Sequence, residues 1–227
     1  MARLTFYGAT EGVTGSAYLL ETGPSTILLE CGLVQGRRED EKANEKPFPF
    51  NIRNLDAVVL SHAHLDHSGR LPKLVAEGYS GPIYMTESTV DLLDIMLKDS
   101  ASLAQRDAEW ENKRRRRAGK EEVEPLYTIQ DVEATLPLCE GLSYNSRNKI
   151  ADNIEVCYRD AGHILGSAIV ELYINEEGDE KKLVFSGDLG NSDAALLRDP
   201  EIVETADVLL LESTYGDRNH RSMDETL

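Results

Sequence analysis

A tight group of possible metal-binding side chains, directly after an apolar run, constrains this chain more than any other feature. Three of its five histidines fall in His62-X-His64-X-Asp66-His67, which follows the apolar residues 57–60. A run of that kind is typical of a strand buried on both faces. We expect His62 and His64 to point the same way, and Asp66 and His67 to turn back toward them from the start of a helix. Three imidazoles and one carboxylate suit a borderline metal such as zinc.

Two further candidates are weaker when each is taken alone. His163 lies in a glycine-flanked segment, where the backbone can adopt unusual dihedral angles and approach other groups closely. Asp188 follows an apolar strand, where sheet proteins place their site loops, although a lone Asp there is more often a turn former. A turn role also explains any single histidine of the first group, but it does not explain that group as a whole.

The pattern of apolar residues predicts a mixed architecture of sheets and helices. Helical spacing predicts helices near residues 71–75, from 89 to about 117, and at 129–138. Short apolar runs between Gly, Pro and Asn predict strands at 4–7, 17–21, 26–31, 57–60, 82–85, 154–158, 168–174, 182–185 and 208–211. Strands, helices and strands again favour sheets that are covered by helices.

The net charge of this chain limits how it can bind a polyanion such as nucleic acid. Forty-one acidic and 24 basic residues give a formal charge of -17. Such a balance argues against coating nucleic acid by bulk charge, which needs many Lys and Arg. The basic run at residues 113–117 ends the long predicted helix. It is either a solvated helix end that complements the helix dipole or a phosphate-binding patch.

The cysteines and the apolar runs indicate the compartment. Cys31, Cys139 and Cys157 are odd in number and lack paired short spacing, so neither a disulfide framework nor a thiolate zinc site is expected. The longest apolar runs are of strand size, and the first residues hold no signal-peptide core. We predict a soluble, cytoplasmic protein without a membrane partner.

Several motifs, in this order along the chain, resemble a known family. The HxHxDH segment, Gly162-His163 and Ser186-Gly187-Asp188 resemble the metallo-β-lactamase superfamily. The resemblance spans essentially the whole chain and implies an α/β fold: an αββα sandwich of two mixed sheets flanked by helices, with a one- or two-metal hydrolytic site at one edge. Further segments are similar to its β-CASP branch, the RNA- or DNA-processing nucleases of the cleavage-and-polyadenylation nuclease and ribonuclease J type: Val13-Thr14-Gly15-Ser16, Glu30-Cys31-Gly32-Leu33, Ala161-Gly162-His163-Ile164-Leu165-Gly166-Ser167 and Glu212-Ser213-Thr214-Tyr215-Gly216-Asp217-Arg218.

The resemblance also implies a ligand set for one or two zinc ions. His62, His64 and His163 bind one zinc, Asp66 and His67 bind a second, and Asp188 bridges the pair. Asp66, Asp188 and Glu212 are the implied catalytic residues.

Three other residues need separate readings. The resemblance implies that Glu212 supports general-acid chemistry. The simpler interpretation is a solvent-facing Glu at the end of a strand. Glu30 stands where the family usually carries Asp. The family's Asp holds the metal loop, and here that role would fall to a side chain that is longer by one methylene. His220 fits a surface turn better than a metal site.

The implied activity is zinc-dependent hydrolysis of phosphodiesters by an RNA-processing nuclease, in which a metal-bound hydroxide attacks the phosphate. Single-stranded RNA is the expected substrate, with DNA as a possibility left open. One alternative is a small-molecule hydrolase of the same fold that acts on thioesters or lactams. Another is a non-catalytic scaffold that binds nucleic acid or a partner nuclease.

The motif order also implies a division of the chain. Residues 1–211 correspond to the N-terminal part of the metallo-β-lactamase domain, and 212–227 begin the connection into a β-CASP domain. The family's later strands, a histidine that assists the leaving group and a last histidine ligand are expected beyond Leu227. We therefore expect one firm zinc, or none, and a weak second, together with poor activity of this chain alone. We also expect an unpaired sheet edge that associates with the missing half or with another copy.

Overall fold

Two mixed β-sheets pack face to face in the computed structural model, which describes residues 2–192, 196–214 and 216. The first sheet has the order β1-β2-β3-β4-β5-β6, antiparallel from β1 to β3 and parallel from β3 to β6. Its strands are β1 (Arg3–Phe6), β2 (Tyr18–Glu21), β3 (Thr26–Leu29), β4 (Ala57–Val59), β5 (Ile83–Thr86) and β6 (Cys139–Leu142).

The second sheet is antiparallel except at one edge. Its strands are β7 (Asn148–Ala151), β8 (Ile154–Asp160), β9 (Ala168–Glu176), β10 (Asp179–Phe185) and β11 (Val208–Leu210). Their order is β11-β10-β9-β8-β7, and β11 runs parallel to β10. Within the described part of the chain β11 pairs on one side only, and Val208 and Leu209 are 49% and 57% exposed.

In the described part of the chain, five α-helices accompany the sheets: α1 (Arg38–Glu41), α2 (Leu65–Ser68), α3 (Leu71–Ala76), α4 (Glu87–Arg117) and α5 (Ile129–Thr135). The Thr86 side chain caps α4 by accepting a hydrogen bond from the Thr89 amide. The helix ends at Arg117, and Gly119 takes a positive φ of 65° just beyond it. No helix in the described ranges combines the length and the apolar character needed to cross a membrane.

Two hydrophobic layers hold these elements together. The inner faces of the two sheets share one core, to which Leu20, Val59, Val170 and Leu172 contribute. The other face of the first sheet packs against α3, α4 and α5, with Leu74, Leu93 and Val132 at the contact. Among the described residues, the outer face of the second sheet carries a small apolar group, Ala161, Ile169 and Val184, which Leu189 and Val203 cover.

The structure confirms the predicted fold class and, to within a few residues at their ends, the predicted strands. The prediction of one helix over 129–138 was wrong at its end. There α5 stops at Thr135 and a 3₁₀ turn, Leu136–Leu138, follows, because Pro137 has no N–H with which to continue the α-helix. The prediction also missed the short strands β6 and β7, whose residues carry little β-forming character.

The sheets deliver several strand ends to one edge of the sandwich. The segment after β4 carries His62 and His64, and the segment after β3 carries Glu30. In the second sheet β8, β10 and β11 run in the same direction, so the residues that follow them also emerge at a common edge. All of the predicted site residues that the structure describes lie in or beside these connections.

Candidate metal centre

Four donor atoms from three separate connections meet at this edge. Nε2 of His62 lies 3.0 Å from Nδ1 of His64, and Nε2 of His163 lies 3.2 Å from that same Nδ1. Oδ2 of Asp188 is 3.7 Å from Nε2 of His62 and 3.5 Å from Nε2 of His163. The four ligand atoms all lie within 4.8 Å of one another.

The spacing of these atoms fits a four-coordinate cation. A tetrahedral zinc with ligands at about 2.0–2.1 Å holds its donor atoms about 3.3 Å apart. The four separations given above, from 3.0 to 3.7 Å, bracket that value. Imidazole nitrogen together with carboxylate oxygen is also a donor set that zinc accepts. The site therefore passes a test of both size and chemistry.

A second group of donors contacts the other carboxylate oxygen of Asp188. Nε2 of His67 is 3.2 Å from Oδ1 of Asp188 and 3.7 Å from Oδ2 of Asp66. Asp188 thus presents Oδ2 to the three-histidine group and Oδ1 to the group formed by Asp66 and His67. This placement is what a carboxylate shared between two neighbouring sites requires.

Behind the donors, Glu30 organises two hydrogen-bond chains. Its carboxylate accepts from the Ser61 amide at 2.6 Å and from the Ser61 hydroxyl at 2.9 Å. The Ser61 hydroxyl has one proton and donates it to Glu30. It therefore accepts a hydrogen bond from Nδ1 of His62, 2.9 Å away. Nδ1 of His67 donates to Glu30 at 2.5 Å. His62 therefore carries its proton on Nδ1 and turns a free Nε2 toward Asp188, while His67 is oriented by its bond to Glu30 so that its Nε2 faces Asp188.

The longer side chain at position 30 is accommodated without loss of contact. Glu30 is fully buried, and its backbone takes the left-handed conformation with a φ of 64°. Its amide donates to the Val59 carbonyl, and the Cys31 amide donates to the His67 carbonyl. The glycine of this motif is needed for close approach, since a Cβ on Gly32 would lie 1.6 Å from the Asp66 carbonyl oxygen.

Burial and neighbouring charges determine the protonation of the cluster. Burial lowers the pKa of His62 well below its usual value and also lowers the pKa of His64, so both rings are neutral at neutral pH. Burial alone raises the pKa of Asp188, but the hydrogen bond and positive charge of His67 outweigh it and bring the pKa to about 2. Burial lowers the pKa of His67, yet its bonds to Asp188 and Glu30 raise it to about 10.

The loop that carries His163 is anchored by hydroxyl groups. The Ser167 hydroxyl accepts from the His163 and Ile164 amides at 3.0 and 3.1 Å. Thr86 and Thr89, at the start of α4, both donate to the Gly166 carbonyl, at 2.6 and 2.9 Å. These hydroxyls, like that of Ser61, were missed by the sequence prediction. A serine just before the HxHxDH segment was the only signal available.

Glu212 lies beside the donor cluster but not within it. Its carboxylate accepts from the Leu189 amide at 2.6 Å, and its own amide donates to the Ser186 hydroxyl at 3.0 Å. It shares with His67 and Asp188 a cavity of about 340 Å³, whose apolar wall includes Phe6, Val13 and Tyr18. From the same motif Tyr215, Asp217 and Arg218 lie outside the described residues, as does His220.

Comparisons with known proteins agree with the motifs. A family described as the metallo-beta-lactamase superfamily matches residues 10–142. Ribonuclease TTHA0252 of Thermus thermophilus is 40% identical over 225 residues, covering 99% of this chain and 46% of that protein. Transcription termination factor FttA of Methanothermobacter thermautotrophicus is 35% identical over 225 residues, covering 95% and 32%. The RNase J-like protein of Methanocaldococcus jannaschii is 34% identical over 218 residues, covering 95% and 43%. The chain spans less than half the length of these relatives.

Proposed function

Because the chain belongs to the metallo-β-lactamase superfamily, we propose that it forms the metal-site-bearing part of a zinc-dependent nuclease that hydrolyses phosphodiester bonds in single-stranded RNA. The observation that carries this proposal is the meeting of three imidazoles and Asp188 at donor spacings suited to zinc. The choice of RNA is supported by relatives named as a ribonuclease, a transcription termination factor and an RNase J-like protein. Together with the Glu212-Ser213-Thr214 segment, these names favour the β-CASP branch.

Each donor group has a proposed role. His62, His64 and His163 hold one zinc, Asp66 and His67 hold a second, and Asp188 is shared. Bound zinc would supply Lewis acidity at a phosphoryl oxygen and lower the pKa of water. Catalysis further requires that the metal-ligating side chains keep a fixed orientation. The hydrogen bonds from Ser61 and His67 to Glu30 provide this fixed orientation.

Other residues of the chain shape the substrate side of the site. Asp188 is ionised at neutral pH, because its pKa is about 2, so it can accept a hydrogen bond from the attacking water. Glu212 fixes the Leu189 amide and with it the connection that carries Asp188. The apolar wall of the 340 Å³ cavity offers the exposed ring of Phe6 to a nucleotide base, while His67 and Asp188 face its phosphate.

The proposed protein is longer than this chain. Residues 1–211 would form the N-terminal part of the metallo-β-lactamase domain, with 212–227 leading into a β-CASP domain, which fits the 46% and 32% coverage of two relatives. The exposed edge at β11 would then meet the remainder of the protein or another copy. A cytoplasmic setting suits the three free cysteines.

Metal analysis combined with parallel substrate assays tests this proposal. We expect the 227-residue chain to hold one zinc firmly and a second weakly, and to cleave single-stranded RNA slowly. A longer protein that contains it should cleave RNA readily and leave β-lactams and thioesters intact. Two tightly bound zincs with robust RNA cleavage by this chain would contradict the proposed division of the site. Preferential hydrolysis of a lactam or thioester would contradict the nuclease assignment.

A further inference from the structure

The second half of α4 presents an exposed face that combines an aromatic ring with cations. Its members recur three, four or seven residues apart, so they share one side of the helix; we call them the arm face: Leu103, Arg106, Trp110, Lys113, Arg114 and Arg117. Trp110 is the single tryptophan of the chain and is 66% exposed, and Leu103 is 46% exposed. The guanidinium of Arg114 lies 5.9 Å from the centre of the Trp110 ring.

The arm face is not required by the hydrophobic core. The buried residues of α4, from Thr89 to Ala101, all belong to its first half. The second half is instead braced by the returning chain, where the Asn112 side chain exchanges two hydrogen bonds with the Val123 backbone, each of 2.8 Å. A large exposed indole on a braced helix is thus available to a partner.

Several cations on and beside the arm face keep their charge free. Glu111 pairs with Arg114 and Arg115, and Glu122 pairs with Arg116. By contrast, none of the ion pairs in the described part of the chain involves the other four cations of this stretch: Arg106, Lys113, Arg117 and Lys120. Two exposed carboxylates lie at helical spacing from members of the arm face: Asp107 is three residues before Trp110, and Glu109 is four residues before Lys113. In a chain with a net charge of -17, this local excess of positive charge complements a polyanion.

We propose that the arm face binds single-stranded RNA, with a base stacked on Trp110 and phosphates held by Lys113 and Arg117. Aromatic stacking beside cations is how proteins bind single strands without sequence preference. The choice of RNA rests on the proposed function. Thr89 contacts the loop that carries His163, and Trp110 lies about 30 Å further along the helix axis. The arm face is therefore a second contact for long substrates.

Tryptophan fluorescence tests this directly, because Trp110 is the only emitter of its kind. The 227-residue chain is titrated with poly(U) in EDTA, so that no hydrolysis interferes. We expect the emission to be quenched, and a labelled-RNA assay should show about tenfold weaker binding for Trp110→Ala but near-normal binding for Trp110→Phe. Joint replacement of Lys113 and Arg117 by Gln should reduce the slope of log affinity against log salt by about 1.4.

A matched control and a short substrate separate the possible failures. Lys149→Gln removes an exposed cation from β7 in the second sheet, outside α4, and should change neither affinity nor slope. Unquenched emission, or unchanged RNA affinity in Trp110→Ala, overturns the arm-face proposal. Hydrolysis of a dinucleotide by a longer protein that contains this chain reports on the metal centre alone, because the dinucleotide is too short to reach the arm face. If that hydrolysis is absent while poly(U) still quenches Trp110, the nuclease proposal fails and RNA binding by the arm face stands.

Discussion

Glu30 connects more of the metal centre than any of the donors does. Its buried carboxylate accepts hydrogen bonds from the Ser61 amide, the Ser61 hydroxyl and His67 Nδ1. One carboxylate therefore orients two imidazoles whose Nε2 atoms both face Asp188. Groups that orient metal ligands in this way affect metal affinity nearly as strongly as the ligands do.

Replacing this carboxylate by an amide tests its role at the residue scale. In Glu30→Gln the new NH₂ group is itself a donor and faces the donors of Ser61 and His67, so it cannot accept from them. One buried hydrogen bond is therefore lost. We expect a loss of about 2 kcal/mol in the free energy of unfolding and a fall in zinc affinity of about 10- to 100-fold. Urea unfolding and a chelator competition titration measure the two effects. Glu133→Gln, on the exposed side of α5, is the control, and equal values for both variants would argue against the role of Glu30.

How far the site could be predicted is clearest from its individual residues. The donors His62, His64, Asp66 and His67 are neighbours in sequence, so their spacing alone indicated a metal site. Their hydroxyl and carboxylate supports could not be found in that way. Glu30 and Ser61 are 31 positions apart, and Thr86 and Gly166 are 80 apart. Such contacts form only when particular strand ends lie side by side in the folded sheet. Local sequence patterns do not indicate which strands become neighbours.

At the scale of elements, β9 carries a buried charge on the outer face of the second sheet. The Glu171 carboxylate accepts hydrogen bonds from Arg159 at 3.0 Å, Tyr173 at 3.0 Å and Lys182 at 2.5 Å. Burial raises the pKa of Glu171, but these three donors outweigh it and lower the pKa below the ordinary value. These polar contacts connect β8, β9 and β10 on a face of the sheet where few apolar side chains of the described residues pack together.

The lowered pKa gives this cluster a definite pH dependence. A carboxylate with a depressed folded-state pKa stabilises the protein above its unfolded pKa, near 4.5, and that stabilisation is lost as the pH falls through the folded value. We expect Glu171→Gln to lose about 3 kcal/mol at neutral pH. The difference from the wild type should shrink in acid. Urea unfolding at several pH values measures it, and a difference that does not vary with pH would rule out this explanation.

Other elements show why part of the fold escaped prediction. The strand β4 was evident because Ala57, Val58 and Val59 form a continuous apolar run that is fully buried. By contrast, β6 contains Glu140 and Gly141, and it is held in the sheet mainly by its backbone pairing with β5. Its strand character comes from tertiary context, which local propensity does not record.

At the scale of the whole molecule, the open edge at β11 and the net charge of -17 act in opposite directions. Exposed apolar residues on an edge strand favour association, while like charges oppose it. We expect self-association in sedimentation velocity to increase with salt, and Leu209→Lys to reduce it without changing the free energy of unfolding by more than about 0.5 kcal/mol. A monomer at every salt and protein concentration would show that this edge is not an association surface.

The central claim is that one carboxylate, Asp188, joins two groups of donors into a zinc centre. Zinc content per chain, measured after dialysis against a weak chelator, tests it most directly when the wild type is compared with Asp188→Asn. The wild type should retain one zinc, and Asp188→Asn should retain none while staying folded. Asp179→Asn, a mostly exposed carboxylate on β10, should behave as the wild type. Full zinc retention by Asp188→Asn would contradict the claim.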